Sequence, residues 1–565
     1  MVVGMARPIK RVERFLSTPT CRIIGDAATL ALFSLVVLVP SMSVFTYILT
    51  EWSNVYEVVF HDPISGSAYW ESMRRAMLLS FQIASLAAAI DVAIGLPMAV
   101  ILARYDFRGK RLVDALVDLP LAVPSSALGF SIFLFWATGE GISGLLGMRS
   151  GFIHRGPLLI LLAHVAFTYS YVVRSLTSVI EGVDVSYEHA GRTLGASPFT
   201  VFRTITSPLA KSGLIAGIIL SLARSLGETG ATIIVAGIYE TAPLAVVSLH
   251  NRLLIPPAAF LSAVLVSISI LLLLFVRFFS AKVGIPIRKV WPGPERLLSG
   301  PVPRRLRDAF TFSSFALVVL APSCFTIPYV ATWWGGSPYT GRYESGVYYQ
   351  VFLAPDRKWA SLLSSLAASI EVASLATAVD LLLGLPMAVL IVRRRWGRLN
   401  ELLNTLIDIP LVIPTSALGF SVYLFWGLKG IGVLSPGFWL LTLTHIALAY
   451  PYAVRSLVAV LESVDPSLEE AARTLGAPPF TAFRTVTLPL IKPGLLSAAI
   501  LSFTRSLGET GATIVVMGRV RTIPVLIVQW AESMALPAAA FACVILILIS
   551  YLLLLSLRYI VRGVM

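Results

Sequence analysis

The sequence predicts an all-α polytopic membrane protein, with about twelve transmembrane helices in two parallel six-helix repeats. Three observations carry that prediction. Apolar residues make up 57% of the chain and mean hydropathy is +0.83, while charged residues fall to 13%, against about 25% in a soluble domain. The apolar residues gather in runs of roughly 20 or more, enough for a helix to cross a bilayer. Long blocks of sequence then recur in the second half.

Taken in order, Arg7, Lys10, Arg11 and Arg14 precede an apolar run over 26–50. That run is too long for a cleaved signal and reads as the first span. Further spans are expected at 75–103, 113–138, 156–182, 212–238 and 257–281, then at 308–333, 362–392, 402–427, 434–461, 492–517 and 534–560. Orientation follows from basic loops. Arg104, Arg108, Lys110 and Arg111 follow the second span, which places that loop in the cytoplasm. Glu51, Glu57, Asp62 and Glu71 follow the first span and fit the outside. Both termini are then cytoplasmic, in a multi-pass plasma-membrane protein. Residues 282–307, rich in Pro, Lys and Arg, read as a cytoplasmic linker between a first half, 1–281, and a second, 308–565.

The repeat is close. LVDLPLAVPSSALGFSIFLFW (116–136) matches LIDIPLVIPTSALGFSVYLFW (406–426), and GRTLGASPFTVFRTITSPL (191–209) matches ARTLGAPPFTAFRTVTLPL (472–490). Trp136 pairs with Trp426, 290 residues on, but His164 pairs with His445, 281 on, so the first half has the longer loop between. An even number of spans per half inserts both halves the same way up. A pseudo-two-fold axis along the membrane normal follows, with a pathway between the halves.

Several function classes drop out. The basic residues, which give pI 9.8, sit in short loops between spans, so no nucleic-acid partner is expected. The three cysteines, Cys21, Cys324 and Cys543, form no CxxC pair, so no disulfide or metal site is indicated. There is no GxxxxGK[ST] phosphate loop and no HExxH cluster. The chain is expected to be a transport subunit, with no catalytic residue and no cofactor of its own.

Between the fourth and fifth spans of each half lies a hydrophilic loop, 184–211 and 465–492. The second reads DPSLEEAARTLGAPPFTAFRTVTLPLIKPG. Asp465 before Pro466 suits a helix start, with Ser467 and Glu470 as an alternative capping box; Gly476 suits a helix stop. A second short helix is expected to end near Pro489. Two short helices at a sharp turn make a rigid knob. The residues Glu470, Ala471, Ala472, Gly476 and Leu488-Pro489 resemble the EAA loop of binding-protein-dependent ABC importer permeases of type I. The resemblance covers both halves, about 75–280 and 362–560. It implies the type I permease fold, in which this loop is the coupling helix that docks on an ATPase. In the first loop the aligned triplet is His189-Ala190-Gly191, with Glu188 displaced by one and Gly195 retained. Small residues at 190–191 and 471–472 allow close approach, and the intact triplet marks the second loop as the stronger coupling site. The resemblance also implies a homodimeric ATPase on the cytoplasmic side, which uses ATP and Mg, and an extracytoplasmic solute-binding protein.

RSLGETGAT occurs at 224–232 and again at 505–513, inside spans five and eleven. An ionised residue at such depth marks a functional site. Arg224 and Glu228, like Arg505 and Glu509, are four apart and can pair on one helix face. They are expected at the pathway or its gate, with an ion-pair staple as the bland alternative. Ser125-Ser126 and Thr415-Ser416 follow Pro124 and Pro414; they either line the pathway or satisfy backbone that the prolines free. Asp118, Asp408, His164 and His445 read as interhelix contacts, and Asp91 and Asp380 as intramembrane carboxylates open to a proton-route reading. LGETGAT is similar to the LGEFGAT-type segment of molybdate, tungstate and sulfate permeases, and phosphate permeases have a related segment. Fused permeases are known for ferric iron and thiamine. A small inorganic ion is the expected cargo, with thiamine or another small organic solute as the alternative. The rival class is a major-facilitator transporter. DFRGKR (106–111) approaches its DRxGRR signature, but Phe107 stands where Arg belongs.

Overall fold

The computed structural model describes residues 18–62, 66–148, 150–279, 291–356, 358–394, 396–427 and 429–562, and all regular structure among them is helical. The first half runs α1 (Pro19–Thr50), α2 (Gly66–Arg104), α3 (Lys110–Leu121), α4 (Ser125–Ala137), α5 (Pro157–Gly182), α6 (Val185–Thr193), α7 (Pro198–Leu209), α8 (Lys211–Leu226), α9 (Gly230–Val235), α10 (Ala242–Asn251) and α11 (Ile255–Phe279). After α12 (Pro292–Leu298) the second half runs α13 (Pro301–Cys324), α14 (Thr326–Thr332), α15 (Lys358–Arg393), α16 (Arg398–Val412), α17 (Thr415–Trp426), α18 (Phe438–Ser463), α19 (Pro466–Thr474), α20 (Pro479–Leu507), α21 (Gly511–Val516), α22 (Ile523–Glu532) and α23 (Leu536–Arg562). Among the described residues eight helices are long and apolar enough to cross a bilayer, and four bent pairs bring the total to at most twelve spans. That is six for each half.

The third span of each half is broken. Between α3 and α4 the axis turns by 105°, and between α16 and α17 by 106°. Pro124 and Pro414 cause it: each lacks an N–H and holds the preceding residue extended, with ψ of 129° at Val123 and 132° at Ile413.

Two expectations need correction. Spans 212–238 and 492–517 are not continuous, because α8 stops at Leu226 and α20 at Leu507, and short helices resume at Gly230 and Gly511. No proline marks those breaks; they are set by the tertiary contacts described below. The second knob helix does not end near Pro489. It continues as α20 through Pro489 and Pro493, whereas the first half turns by 69° at Ala210. A π-helical turn precedes the proline in both halves, Phe202–Thr206 and Phe483–Thr487. The linker is helical where it is described. Residues 280–290 lie outside the described segments, but 291–307 form α12 and the start of α13, with Pro292 and Pro301 at first helical positions, where a missing N–H is harmless.

The first helix of each half crosses to the other half. On α1, Phe33 stacks on Tyr450 of α18 at 5.5 Å, Asp26 pairs with Arg394 at 2.5 Å, and the Ser43 hydroxyl donates to the Ser421 carbonyl. Reciprocally, Phe315 of α13 stacks on Tyr169 of α5 at 5.5 Å, and the Tyr329 hydroxyl donates to Glu140 at 2.5 Å. Tyr169 and Tyr450 are fully buried. In lipid such contacts rest on close packing and interhelical hydrogen bonds, because apolar burial alone distinguishes little between a helix and a lipid tail. The interlock predicts that residues 1–279 and 291–565, co-expressed as separate chains, will co-purify in mild detergent through a tag on either one. Recovery of the tagged half alone would contradict it.

Candidate functional site

The two copies of RSLGETGAT meet at the centre of the molecule. In each, Arg and Glu pair across the end of a helix rather than along its face: Arg224–Glu228 and Arg505–Glu509, both at 2.7 Å. The second oxygen of each carboxylate accepts the N–H of the helix that resumes, from Ala231 at 3.0 Å and from Ala512 at 3.1 Å. One carboxylate therefore neutralises a guanidinium and caps a helix start. A histidine braces the break from α5 and from α18. His164 reaches Ser225 at 2.7 Å and Thr232 at 2.9 Å, and His445 reaches Ser506 and Thr513 at the same distances. The interhelix role expected for the histidines holds in this geometry.

Across the pseudo-two-fold axis the breaks touch. A Cβ on Gly230 would lie 2.8 Å from Thr510 Cβ and 2.6 Å from Ser125 Oγ; one on Gly511 would lie 2.7 Å from Thr229 Cβ and 2.5 Å from Thr415 Oγ1. Only glycine fits at either position. Gly227 packs on Pro414 and Gly508 on Pro124, at 3.2 Å by the same measure. The four broken spans thus converge on one contact. Ser125 and Thr415 face it, while the buried Ser126 and Ser416 hydroxyls have no hydrogen-bond partner among the described residues.

On the knob side of that contact lies a cavity of about 270 Å³. Arg224, Arg505, Tyr171 and Tyr452 line it, together with Pro124, Ser125 and apolar residues of both halves. Arg505 lies over the Tyr452 ring at 6.0 Å and Arg224 over the Phe167 ring at 5.0 Å. The tyrosines escaped the sequence reading, although the matched stretches TYSYVVRS (168–175) and AYPYAVRS (449–456) place them at equivalent positions. The remaining polar residues are structural. Asp91 accepts from Thr168 at 2.6 Å and Ser221 at 2.7 Å, and Asp380 from Ser502 at 2.6 Å. Asp118 pairs with Arg174 at 2.5 Å and Asp408 with Arg455 at 2.6 Å.

The knobs share one construction. Asp184 and Asp465 cap α6 and α19 by accepting from the Ser186 and Ser467 N–H groups at 2.8 and 2.9 Å, which holds both carboxyls below their usual range. Gly195 and Gly476 end the helices at φ of 84° and 89° with open space around them, so it is the left-handed backbone that requires glycine. The anchoring carboxylates are Glu188 and Glu469. Glu188 pairs with Arg104 and accepts from Thr206, both at 2.9 Å. Glu469 pairs with Arg393 at 3.4 Å and accepts from Thr487. Glu188 is therefore the counterpart of Glu469, not a displaced residue, and Glu470 and His189 are both exposed. Ala190 and Ala471 are exposed too, whereas Gly191 is buried against its own loop, where a Cβ would meet Ile205 at 2.7 Å. Ala472 stands at the equivalent place, with Val486 where the first half has Ile205. At each tip one leucine is bare, Leu194 at 88% and Leu475 at 90% exposure.

Among the described residues, α12 of the linker clasps the first knob. The buried Glu295 of α12 accepts from the Thr200 hydroxyl and pairs with Arg203, both at 2.5 Å, and accepts the Trp291 N–H at 3.0 Å. Ser299 accepts the Phe199 N–H at 3.0 Å. The Thr200 bond, then the Trp291 bond and Arg203, hold the Glu295 carboxyl below its usual range.

Two expectations follow. Gly230→Ala and Gly511→Ala should wedge the breaks apart, at about 1–3 kcal/mol of overpacking, an opening bias of roughly 5- to 150-fold. A thiol at position 125, on a background lacking Cys21, Cys324 and Cys543, should then react faster with a membrane-impermeant reagent added on the side away from the knobs. An unchanged rate would show that the contact is not a barrier. Glu295→Ala should free α12 and raise the rate of tryptic cleavage at Arg296, since the carboxylate supplies the bonds to Thr200 and Arg203 that hold α12 on the knob. Because its folded pKa is depressed, the clasp is complete above the ordinary Glu value of about 4.3 and is lost as pH falls through the lower folded value. Cleavage by an acid-active protease should accelerate only there.

A family of known proteins has this arrangement. The model of the binding-protein-dependent transport system inner membrane component matches the chain twice, over residues 95–285 and 380–565. The molybdenum transport system permease protein ModB of Escherichia coli (strain K12) is 39% identical over 163 residues, 28% of this chain and 70% of that protein. A probable sulfate transport system permease protein, cysT of Prototheca wickerhamii, is 31% identical over 198 residues, 35% of this chain and 74% of that one. The molybdate/tungstate transport system permease protein WtpB of Pyrococcus abyssi is 28% identical over 243 residues, 43% of this chain and 89% of that one. The doubled match, the six-and-six spans and the paired knobs are those of a permease with the type I fold whose two halves are fused, so the chain belongs to the binding-protein-dependent transport system inner membrane component family, as a multi-pass plasma-membrane protein.

Proposed function

We propose that this chain is the fused permease of an ABC importer that carries a small oxyanion, such as molybdate, tungstate, sulfate or phosphate, from an extracytoplasmic binding protein into the cytoplasm. The knobs face the cytoplasm, as do both termini. Two copies of an ATPase dock on loops 184–211 and 465–492, and ATP and Mg are bound and used there. The observation that carries the reading is the contact between the broken spans, with a cavity on its knob side. Glu188 ties the first knob to Arg104 of α2 and Glu469 ties the second to Arg393 of α15, so a body docked on the knobs moves those helices and the ones packed around the breaks.

The cargo class rests on two supports. The relatives named above are permeases for molybdenum, sulfate and molybdate/tungstate. The cavity wall carries two guanidiniums and no carboxylate, which disfavours ferric iron and the thiazolium cation of thiamine. A secondary transporter has no use for two knobs with bare apolar tips.

Leu194 and Leu475 would fill an apolar groove on the ATPase, a setting in which one buried anchor dominates affinity. Leu475→Asp and Leu194→Asp should each lower ATP-driven uptake in proteoliposomes by at least about tenfold, because about 2 kcal/mol or more is lost at such an anchor. Retained uptake with both replaced would remove the knobs from coupling.

A further inference from the structure

We propose that the cavity framed by Tyr171, Arg224, Tyr452 and Arg505 binds the oxyanion inside the membrane, after the anion has left the binding protein. This rests on the importer reading above.

The geometry of the ion pairs carries the proposal. Arg224 and Arg505 keep 27% and 22% of their side chains exposed, whereas Glu228 and Glu509 keep 2% and 4%. Both guanidiniums therefore front the cavity and both carboxylates stand behind them. A guanidinium has five N–H donors. The carboxylate engages one edge, leaving donors directed at the cavity. Arginine surface left bare at membrane depth needs water or an anion. Two intrahelical staples would satisfy themselves anywhere on their helices, yet these two converge on the same space from opposite halves.

The tyrosines complete the set. Both line the same cavity as the arginines, and each hydroxyl has a proton to donate. Two arginines and two tyrosines, one of each from each half, then present donors to an anion with four oxygens. Leu121, Leu128, Ile500 and Leu501 fill in the wall, and an apolar wall strengthens charge-assisted hydrogen bonds. The recessed carboxylates serve release. Glu228 and Glu509 compete with the anion for the guanidiniums, so the site stays weak enough to be vacated, as conduction requires. Arginine rather than lysine fits the task, because its planar fork can hold a carboxylate on one edge and an oxyanion on the other.

Tungstate is the probe. The permease–ATPase complex would be crystallised with and without it, and anomalous scattering at a tungsten absorption edge would locate the metal. A peak between Arg224 and Arg505 is expected. Uptake of tungstate would be measured in proteoliposomes with the binding protein present. Arg224→Gln with Arg505→Gln should lower the maximal rate at least about a hundredfold. Tyr171→Phe with Tyr452→Phe should lower it about tenfold, and the Arg→Lys pair should fall between. In every case the half-saturating tungstate concentration should stay as in the wild type, because the binding protein sets it. If the Gln variants fail to assemble with the ATPase, the Phe pair, which changes no packing volume, decides. Wild-type uptake with no tungsten peak in the cavity, and an unchanged rate in the Phe pair, would overturn this site and leave the importer reading standing. A wild-type complex that moves no oxyanion would overturn both.

Discussion

The fold depends on two carboxylates placed where two helices stop. Glu228 and Glu509 each bind the last arginine of one helix and the first free N–H of the next. Without that double engagement the breaks would leave helix ends unsatisfied in a medium that supplies no water. With it, the chain can interrupt a span at membrane depth and turn its glycines outward. The glycines then let the halves approach until Gly230 meets Thr510 and Gly511 meets Thr229. Contact, cavity and symmetry axis all follow from there.

The two halves build this centre identically and differ at the periphery. The distances from each histidine to its two hydroxyls are the same, as are those of the two ion pairs. The knobs share their caps, their anchoring carboxylates and their bare leucines. What is not shared is the exit from the knob: the chain turns by 69° at Ala210 in the first half, whereas α20 runs on through Pro489 and Pro493 in the second. The asymmetry between the loops thus lies less in the His189-Ala190-Gly191 triplet, whose first two residues are exposed, than in that bend.

Much of this was legible in the sequence, for physical reasons. Composition and run length are read directly against bilayer thickness, so the span count and the duplication came through. Charges at membrane depth are rare enough to single out Arg224, Glu228, Arg505 and Glu509. The breaks beside them were hidden, because no proline marks them and glycine is common in membrane helices. The anchoring role of Glu188 and Glu469 was hidden too: in a run of two glutamates, only the fold tells which one turns inward. Tyr171 and Tyr452 look like ordinary aromatic residues until the cavity shows what they face.

The crossing of the first helices has a bearing on how the chain is made. A membrane protein is inserted from its N-terminus, span by span. The partners of α1 are Arg394, Ser421 and Tyr450, the hydroxyl bond from Ser43 alone closing 378 residues of chain. The first span therefore waits in the bilayer while most of the polypeptide is synthesised, its Asp26 without Arg394 and its Phe33 against lipid. Neither half can complete its own packing before the other exists. Joining the halves in one chain keeps the late partner tethered to the early one, turning an encounter between two proteins into the closure of a loop.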